Sequence, residues 1–115
     1  MDLLELSSKV EMISKLYAET HEITRDQAWF LLKLHEEMGE LTQAFLMKTA
    51  QSRHKERSPQ EIDEALGAEL ADVLCHVLLL ARHNDVDIGQ AVEHKWLVWD
   101  RADSSPVVPA TQSRG

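Results

Sequence analysis

The sequence predicts an all-α fold, specifically an antiparallel four-helix bundle. Apolar residues recur every three or four positions in four separate stretches, which is the spacing of one helix face. No stretch alternates apolar and polar residues strictly enough to indicate a β-strand. With 115 residues and 43% hydrophobic composition, the chain suits a single domain with its own core. We therefore expect one helical domain over residues 1–102 and an unstructured, proline-containing tail over residues 103–115.

The first predicted helix covers Leu3–Thr20, and the second, which is longer, begins after Thr24. Gln27 follows Thr24 at the spacing of a capping box, which favours a helix start there. The periodic pattern then continues to about Gln51. The apolar stripe predicted to point inward from the first helix consists of Leu6, Val10, Ile13 and either Leu16 or Tyr17.

The third and fourth predicted helices also begin with capping signals. The string S-P-Q-E at residues 58–61 combines a capping serine, a proline at the first helical position and a capping-box glutamate. This helix is expected to end near His83. A shorter helix is expected to follow Asp87 and to continue through Trp99. The stripe predicted to point inward from the third helix is Leu66, Leu70, Val73, Val77 and Leu80 or Ala81.

Charge and cysteine content limit the classes of partner. The formal net charge of −8 argues against nucleic acid or an anionic membrane as the main partner. Cys75 is the only cysteine, so no internal disulfide can form, which indicates a reducing compartment such as the cytoplasm. The N-terminal string M-D-L-L-E-L lacks the features of a signal peptide, and no stretch has the length and apolarity of a membrane helix.

Two matched pairs of carboxylates are the main chemical signal. Glu37 and Glu40 are three residues apart in the second predicted helix, and Glu69 and Asp72 are three apart in the third. Residues at this spacing are neighbours on a helix surface. If the two helices pack antiparallel, the two pairs face each other and four carboxylates converge. Glu36 adds a fifth acid next to the first pair.

Like charges this close need a counter-charge. Two charges about 4 Å apart repel by about 4 kcal/mol at an effective dielectric of 20, and oxygen ligands suit Mg²⁺ or Mn²⁺. Glu36 would then bind a second ion or accept a proton from water. Gly39, a poor helix former, predicts close approach of a neighbouring helix or ligand. The competing interpretation is that these acids form ordinary solvated helix faces.

The arrangement of these acids is similar to a known family signature. The strings E-E-M-G-E (residues 36–40) and E-L-A-D (residues 69–72) resemble the E-E-x-x-E…E-x-x-D signature of MazG-like nucleotide pyrophosphohydrolases, in the all-α NTP pyrophosphatase group. The resemblance covers about residues 27–99. It implies Mg²⁺-dependent hydrolysis of a nucleoside triphosphate to the monophosphate and pyrophosphate, as in removal of surplus or non-standard nucleotides. It also implies a homodimer or homotetramer.

The resemblance also assigns roles by position. It implies that the metal ligands are Glu37, Glu40, Glu69 and Asp72, that Glu36 is an auxiliary catalytic acid, and that Lys95, supplemented by Arg101, contacts the phosphates. The sequence departs from the family pattern after Lys95, because the string H-K-W-L-V-W-D-R lacks an asparagine found in many members. Contacts to the base or sugar on that side are therefore not implied.

Alternatives remain open at this level. Trp29 precedes the acids by two helical turns and would either stack on a nucleobase or pack in a core or subunit interface. Two other functions compete with the general pyrophosphohydrolase. One is a phosphoribosyl-ATP pyrophosphohydrolase-like enzyme, whose characteristic N-terminal segment is not evident. The other is a non-catalytic helical dimer that binds a nucleotide, which the retention of all five acids disfavours.

Overall fold

A computed structural model describes residues 1–49 and 56–100. These residues form four α-helices and no strand, which confirms the all-α prediction. The helices are α1 (Leu3–Thr20), α2 (Gln27–Lys48), α3 (Pro59–His83) and α4 (Ile88–Lys95), and a short 3₁₀ helix, Leu97–Trp99, follows α4. The predicted tail at 103–115, together with Arg101 and Gln51, lies outside the described residues. Within the described ranges, no helix combines the length and apolarity needed to cross a membrane.

Side-chain caps define all four helix starts. Asp2, Asp26, Ser58 and Asp87 each accept a hydrogen bond from a backbone N–H in the first helical turn. Ser58 completes the predicted capping box with Glu61, and its backbone N–H lowers the pKa of the Glu61 carboxyl. The predicted start of α2 is wrong by two residues, because the cap is Asp26 rather than Thr24. A carboxylate also complements the positive end of the helix dipole, which a threonine hydroxyl does not.

Two helices end in left-handed turns without glycine. After α1, Glu22 has φ 54°, and the N–H of Ile23 donates to the carbonyl of Ala18. After α3, Asp85 has φ 55°, and Val86 donates back to Ala81. Both are Schellman arrangements. The fourth helix is shorter than predicted, since its α-helical part ends at Lys95 and the chain tightens into the 3₁₀ turn.

Helices α2 and α3 form the main packed pair and run antiparallel. Lys48 at the end of α2 forms an ion pair with Asp63 at the start of α3. At the opposite end of the pair, the ring of Phe30 stacks on that of His83 with 4.0 Å between centroids. The core between the helices includes Phe30 and Met47 of α2. On α3 it includes Ile62 and Leu79, and these four residues are all at least nine-tenths buried.

Helix α1 packs against the C-terminal half of α3 through a polar cluster. Both carboxylate oxygens of Glu11 accept hydrogen bonds from Arg25, at 3.0 and 2.8 Å, and His83 of α3 lies 2.9 Å from the same carboxylate. Arg25 also donates to Ser14. The pKa of Glu11 falls from 4.5 to about 2, mainly because Arg25 hydrogen-bonds to the carboxylate. This cluster therefore ties α1, the loop before α2 and the end of α3 together.

The start of α4 lies near the N-terminus of α1. Leu3, Leu78 and Ile88 line a cavity of about 350 Å³ shared by α1, α3 and α4. Leu78 is only 1% exposed, so this second contact region contributes to the core. A fully closed four-helix bundle stays a prediction, because the described contacts establish the α2–α3 pair, the packing of α1 on α3 and the contact of α4 with the 3₁₀ turn.

The predicted inward stripes are wrong in part for α1 and α3, because Leu6 and Val10 and most of the α3 stripe are half-buried rather than fully buried. On α1, Ile13, Leu16 and Tyr17 are exposed, and the buried residues are Ser7 and Ala18. On α3, Leu70 is 52% exposed, whereas Ile62, Leu78 and Leu79 are buried. The cause on α3 is that the side facing α2 carries Glu69, Asp72 and His76 among its apolar residues. Hydrophobic periodicity therefore located a different side of the helix.

Exposed apolar side chains follow one side of the α2–α3 pair. Successive residues of an α-helix are rotated by about 100° about the helix axis. When two antiparallel helices face each other, the residue that follows a contact residue therefore lies on the same side of the pair in both helices. On α2, Met38 follows Glu37 in this way, and on α3 Leu70 follows Glu69. We call this surface the apolar flank, and it comprises Leu31, Met38 and Phe45, which are exposed, with Leu66, Leu70, Val73 and Val77.

The Glu11 cluster gives a prediction for stability. Glu11→Gln is expected to lower the free energy of unfolding by about 2 kcal/mol at pH 7, the scale of hydrogen bonds to a charged group. Because the folded pKa lies below the unfolded value, this contribution is present above pH 4.5 and is lost as the pH falls toward 2. Urea unfolding at pH 7 and pH 3 measures the difference from wild type.

The matched control for this experiment is Glu19→Gln. Glu19 is an exposed carboxylate on the same helix, so its substitution is expected to change stability by less than about 0.5 kcal/mol at either pH. A Glu11 variant as stable as the Glu19 variant at pH 7 would contradict the role given to the cluster.

Candidate functional site

Antiparallel packing brings five acids together midway along the α2–α3 pair. One carboxylate oxygen from each of Glu37, Glu69 and Asp72 lies within 4.8 Å of the other two. Glu36, Glu37 and Glu40 form a second group within the same distance. Glu37 belongs to both groups and therefore joins them. We call the five residues the acid cluster; they are Glu36, Glu37, Glu40, Glu69 and Asp72.

Glu37 is the most buried member of the acid cluster. It is only 8% exposed, and it lies on the line of α2 that faces α3, one heptad from both Phe30 and Ala44. Burial raises the pKa of the Glu37 carboxyl, and the negative charges of Glu40 and Asp72 raise it further. The position of the side chain is thus set by core packing on either side, although its charge is disfavoured there.

Glu69 shows the same effect on the opposite helix. Burial raises its pKa, followed by the hydrogen-bonding proximity of Asp72 and by the charges of Glu40 and Asp72. Glu40 thus acts on the acids of α3 as well as on its own neighbour. The raised pKa values indicate that the charged forms of Glu37 and Glu69 are disfavoured here, first by burial and then by the neighbouring negative charges.

The donor set fits a hard divalent cation. Every candidate ligand is a carboxylate oxygen, and the three-residue group draws on two helices, so that one ion can be held from both sides. A bound cation would stabilise the charged carboxylates against both burial and mutual repulsion, the two effects that raise these pKa values. The proposed metal ligands Glu37, Glu40, Glu69 and Asp72 are thus placed together, and their ligand role stays a prediction.

Lys33 is a member of this site that the sequence analysis did not identify. Its Nζ lies 3.1 Å from Glu36 Oε1 and 3.9 Å from Glu37 Oε2. Its positive charge lowers the pKa of Glu37, against the larger raising effects. The signal was available, because Lys33 precedes the two glutamates by three and four residues, the spacing of helical ion pairs.

The residues predicted to contact the phosphates and the base, Lys95 and Trp29, are less closely associated with the acid cluster. Lys95 is exposed at the end of α4, and within the described part of the chain no ion pair joins it to the acid cluster. Trp29 is half-buried and lies edge-on to Phe30, at 5.0 Å between ring centroids, and to His76, at 6.2 Å. Trp29 therefore packs within the chain at the border of the site. Its role toward a ligand stays a prediction.

His76 extends the site by one turn of α3 beyond Asp72. Its Nδ1 is buried and has no hydrogen-bond partner among the described residues. Burial lowers the pKa of the imidazole, and the charge of Lys33 lowers it further. The cationic form of the ring is therefore disfavoured at this position beside Trp29.

Gly39 does not serve the predicted purpose within the chain. A Cβ built on Gly39 would meet no atom within 4 Å among the described residues. Gly39 lies two residues after Glu37, which turns it about 200° away from the α3-facing line. The prediction of a close neighbouring helix at Gly39 is therefore wrong for the contacts inside one chain.

Charge repulsion in the acid cluster gives a prediction that does not depend on activity. Glu37→Gln removes a buried charge while keeping the side-chain shape. We expect it to raise the free energy of unfolding by roughly 1–2 kcal/mol in EDTA, because relief of repulsion exceeds the lost attraction to Lys33. Urea unfolding at pH 7 measures the change.

The control is Glu64→Gln, which neutralises an exposed carboxylate on α3. It is expected to change stability by less than about 0.5 kcal/mol. Most substitutions of buried residues destabilise, so the positive sign for Glu37→Gln is diagnostic. A destabilised Glu37 variant would show that the cluster does not hold uncompensated charge.

Comparison with known families places this site in a recognised domain. The model of the MazG nucleotide pyrophosphohydrolase domain matches residues 25–96, which include all of α2, α3 and α4 and every acid of the cluster. Comparison with curated proteins and with solved structures returned no significant match.

Proposed function

The chain belongs to the MazG nucleotide pyrophosphohydrolase family, and on that basis we propose that it hydrolyses nucleoside triphosphates to the monophosphate and pyrophosphate with Mg²⁺. The observation that carries the proposal is the convergence of Glu37, Glu69 and Asp72 from two helices within 4.8 Å. Mn²⁺ is an alternative cation for the same oxygen ligands. We further propose a role in clearing surplus or non-standard nucleotides from the cell's pool.

Each acid has a defined task in this proposal. Glu37, Glu40, Glu69 and Asp72 hold the cation. When bound, Mg²⁺ supplies charge neutralisation and polarisation of the phosphoryl oxygens. Glu36 is exposed at the edge of the cluster, where its carboxylate can orient the attacking water and accept its proton. One phosphoanhydride bond is hydrolysed, one water is consumed, and pyrophosphate leaves.

Activity and metal dependence test the proposal together. We expect pyrophosphate release from a panel of NTPs and dNTPs in Mg²⁺ and none in EDTA. Glu40→Ala should reduce the rate by at least about 100-fold, because even groups that only support metal ligands contribute 10- to 100-fold. Glu64→Ala is the control, since this exposed acid lies outside the cluster, and it should retain wild-type turnover. Full activity of Glu40→Ala would contradict its role as a ligand.

Metal binding is testable without turnover. Mg²⁺ that binds the folded chain should raise its stability by mass action, by about 2.7 kcal/mol at 100 times the dissociation constant. Thermal unfolding across a Mg²⁺ titration measures this shift. An unchanged curve at millimolar Mg²⁺ would contradict the metal site. Stabilisation by Mg²⁺ without turnover of any nucleotide would support a non-catalytic binding protein instead.

We also propose that the chain assembles as a homodimer, or a tetramer built from dimers, through the apolar flank. Phe45 and Leu70 are each 52% exposed and Met38 is 46% exposed, on the same side of the α2–α3 pair. Contiguous exposed apolar side chains are typical of protein interfaces. A second copy is the occupant we favour because family membership implies self-association.

Phe45→Glu is expected to convert the assembly to monomer, because a charge would be buried in the interface. Size-exclusion chromatography with light scattering measures the mass. Leu32→Glu is the matched control, since Leu32 is 65% exposed on the same helix but lies about 140° from the α3-facing line. If Leu32→Glu dissociates the assembly and Phe45→Glu does not, the interface lies on another surface.

A further inference from the structure

The Lys33 ammonium lies at the edge of the acid cluster, on the same side of α2 as Glu36 and Glu40. Counting 100° per residue from Glu37, these three positions all turn to the opposite side from Met38. The Lys33 side chain is only 30% exposed, and its Nζ contacts both Glu36 and Glu37. The position of the Lys33 side chain is therefore set by its partial burial as well as by attraction to the two carboxylates.

The surroundings of Lys33 limit the directions in which its charge can act. Toward the N-terminus of α2 lies Trp29, which is packed edge-on to His76. Burial and then the charge of Lys33 lower the pKa of His76, so a positive charge on the ring beside the ammonium is disfavoured. The acids lie on the other side. A negatively charged ligand at the acid cluster would thus meet the Lys33 ammonium, which contacts two acids of the cluster.

The same charge has opposite effects on the two ligands of the proposed reaction. A divalent cation that binds the Glu37 carboxylate comes close to an ammonium already 3.9 Å from that carboxylate, and like charges repel at this range. Lys33 therefore weakens cation binding by the acids. A phosphate chain beside the acids is attracted instead, because an ammonium is a compact donor to phosphate oxygens.

We propose that Lys33 is a substrate-contacting residue that binds the phosphate chain of the nucleotide and, through the same charge, opposes binding of the divalent cation until phosphate is present. This inference rests on the proposed function. It assigns to α2 a phosphate contact that the sequence resemblance implies for Lys95 of α4. It also makes the binding of cation and nucleotide mutually favourable, because the phosphate compensates the ammonium.

Lys33→Met tests this inference, since methionine keeps much of the side-chain length without the charge. We expect the dissociation constant for Mn²⁺, measured by calorimetry without nucleotide, to fall about three- to tenfold. We expect KM for the nucleoside triphosphate to rise about tenfold or more, with kcat changed less than about threefold. Opposite signs for the two ligands are not expected from general damage to the site.

Two further variants serve as controls. Lys48→Met removes the ion pair to Asp63 on the same two helices but outside the acid cluster, and should leave both quantities unchanged. Lys33→Arg keeps the charge, and should restore KM to within about threefold of wild type. If Lys33→Met leaves Mn²⁺ affinity unchanged or weaker, or leaves KM unchanged, the inference is overturned.

Failure of the inference is distinguishable from failure of the proposed function. If the wild-type chain shows no turnover, pyrophosphate binding in the presence of Mg²⁺, measured by calorimetry, replaces KM as the second quantity. Lys33→Met should then weaken pyrophosphate binding about tenfold while it still tightens Mn²⁺ binding. A wild-type chain that binds neither Mn²⁺ nor pyrophosphate would overturn both the function and the role of Lys33.

Discussion

Repulsion among carboxylates held between two helices is the constraint on which the site depends. Glu37 is nearly buried on the line of α2 that faces α3, and Glu69 and Asp72 meet it from the other helix. Such an arrangement is unfavourable in isolation, yet packing on both sides enforces it. Phe30 and Met47 of α2 are anchored in the core before and after the acids. The hydrophobic core therefore supplies the free energy that keeps like charges together.

Different sides of helix α2 carry different kinds of residue. The line that faces α3 carries Phe30, Glu37 and Ala44, spaced by seven residues. Polar groups, including Lys33 and Glu40, turn to one side of this line, and apolar groups such as Met38 turn to the other. Because α3 runs antiparallel, its acids and its apolar side chains fall on the matching sides. One helix pair can thus present a charged site and an apolar surface without either disturbing the other.

Local signals in the sequence located the four helices to within a few residues, and they paired the acids on each helix; the convergence of the pairs also required the antiparallel packing that was assumed. The caps at Ser58 and Asp87 and the three-residue spacing of the acid pairs act within one or two turns, and the structure has them where the pattern indicates. The packing direction of α3 was not predictable in the same way. Its α2-facing side includes Glu69 and His76, so the most apolar side, with Leu70, is not the side packed in the chain.

The polar contacts between helices could not be predicted from the sequence, for a different physical reason. The bond between Glu11 and His83 joins residues 72 positions apart, and only the packing of α1 against α3 brings them together. Lys33 was within reach of sequence reasoning, since its partners are one turn away. It went unrecognised because a lysine beside glutamates on a helix ordinarily indicates a solvated ion pair. Its meaning changes once Glu37 is known to be buried, since a positive charge next to a buried carboxylate affects every other ion that binds there.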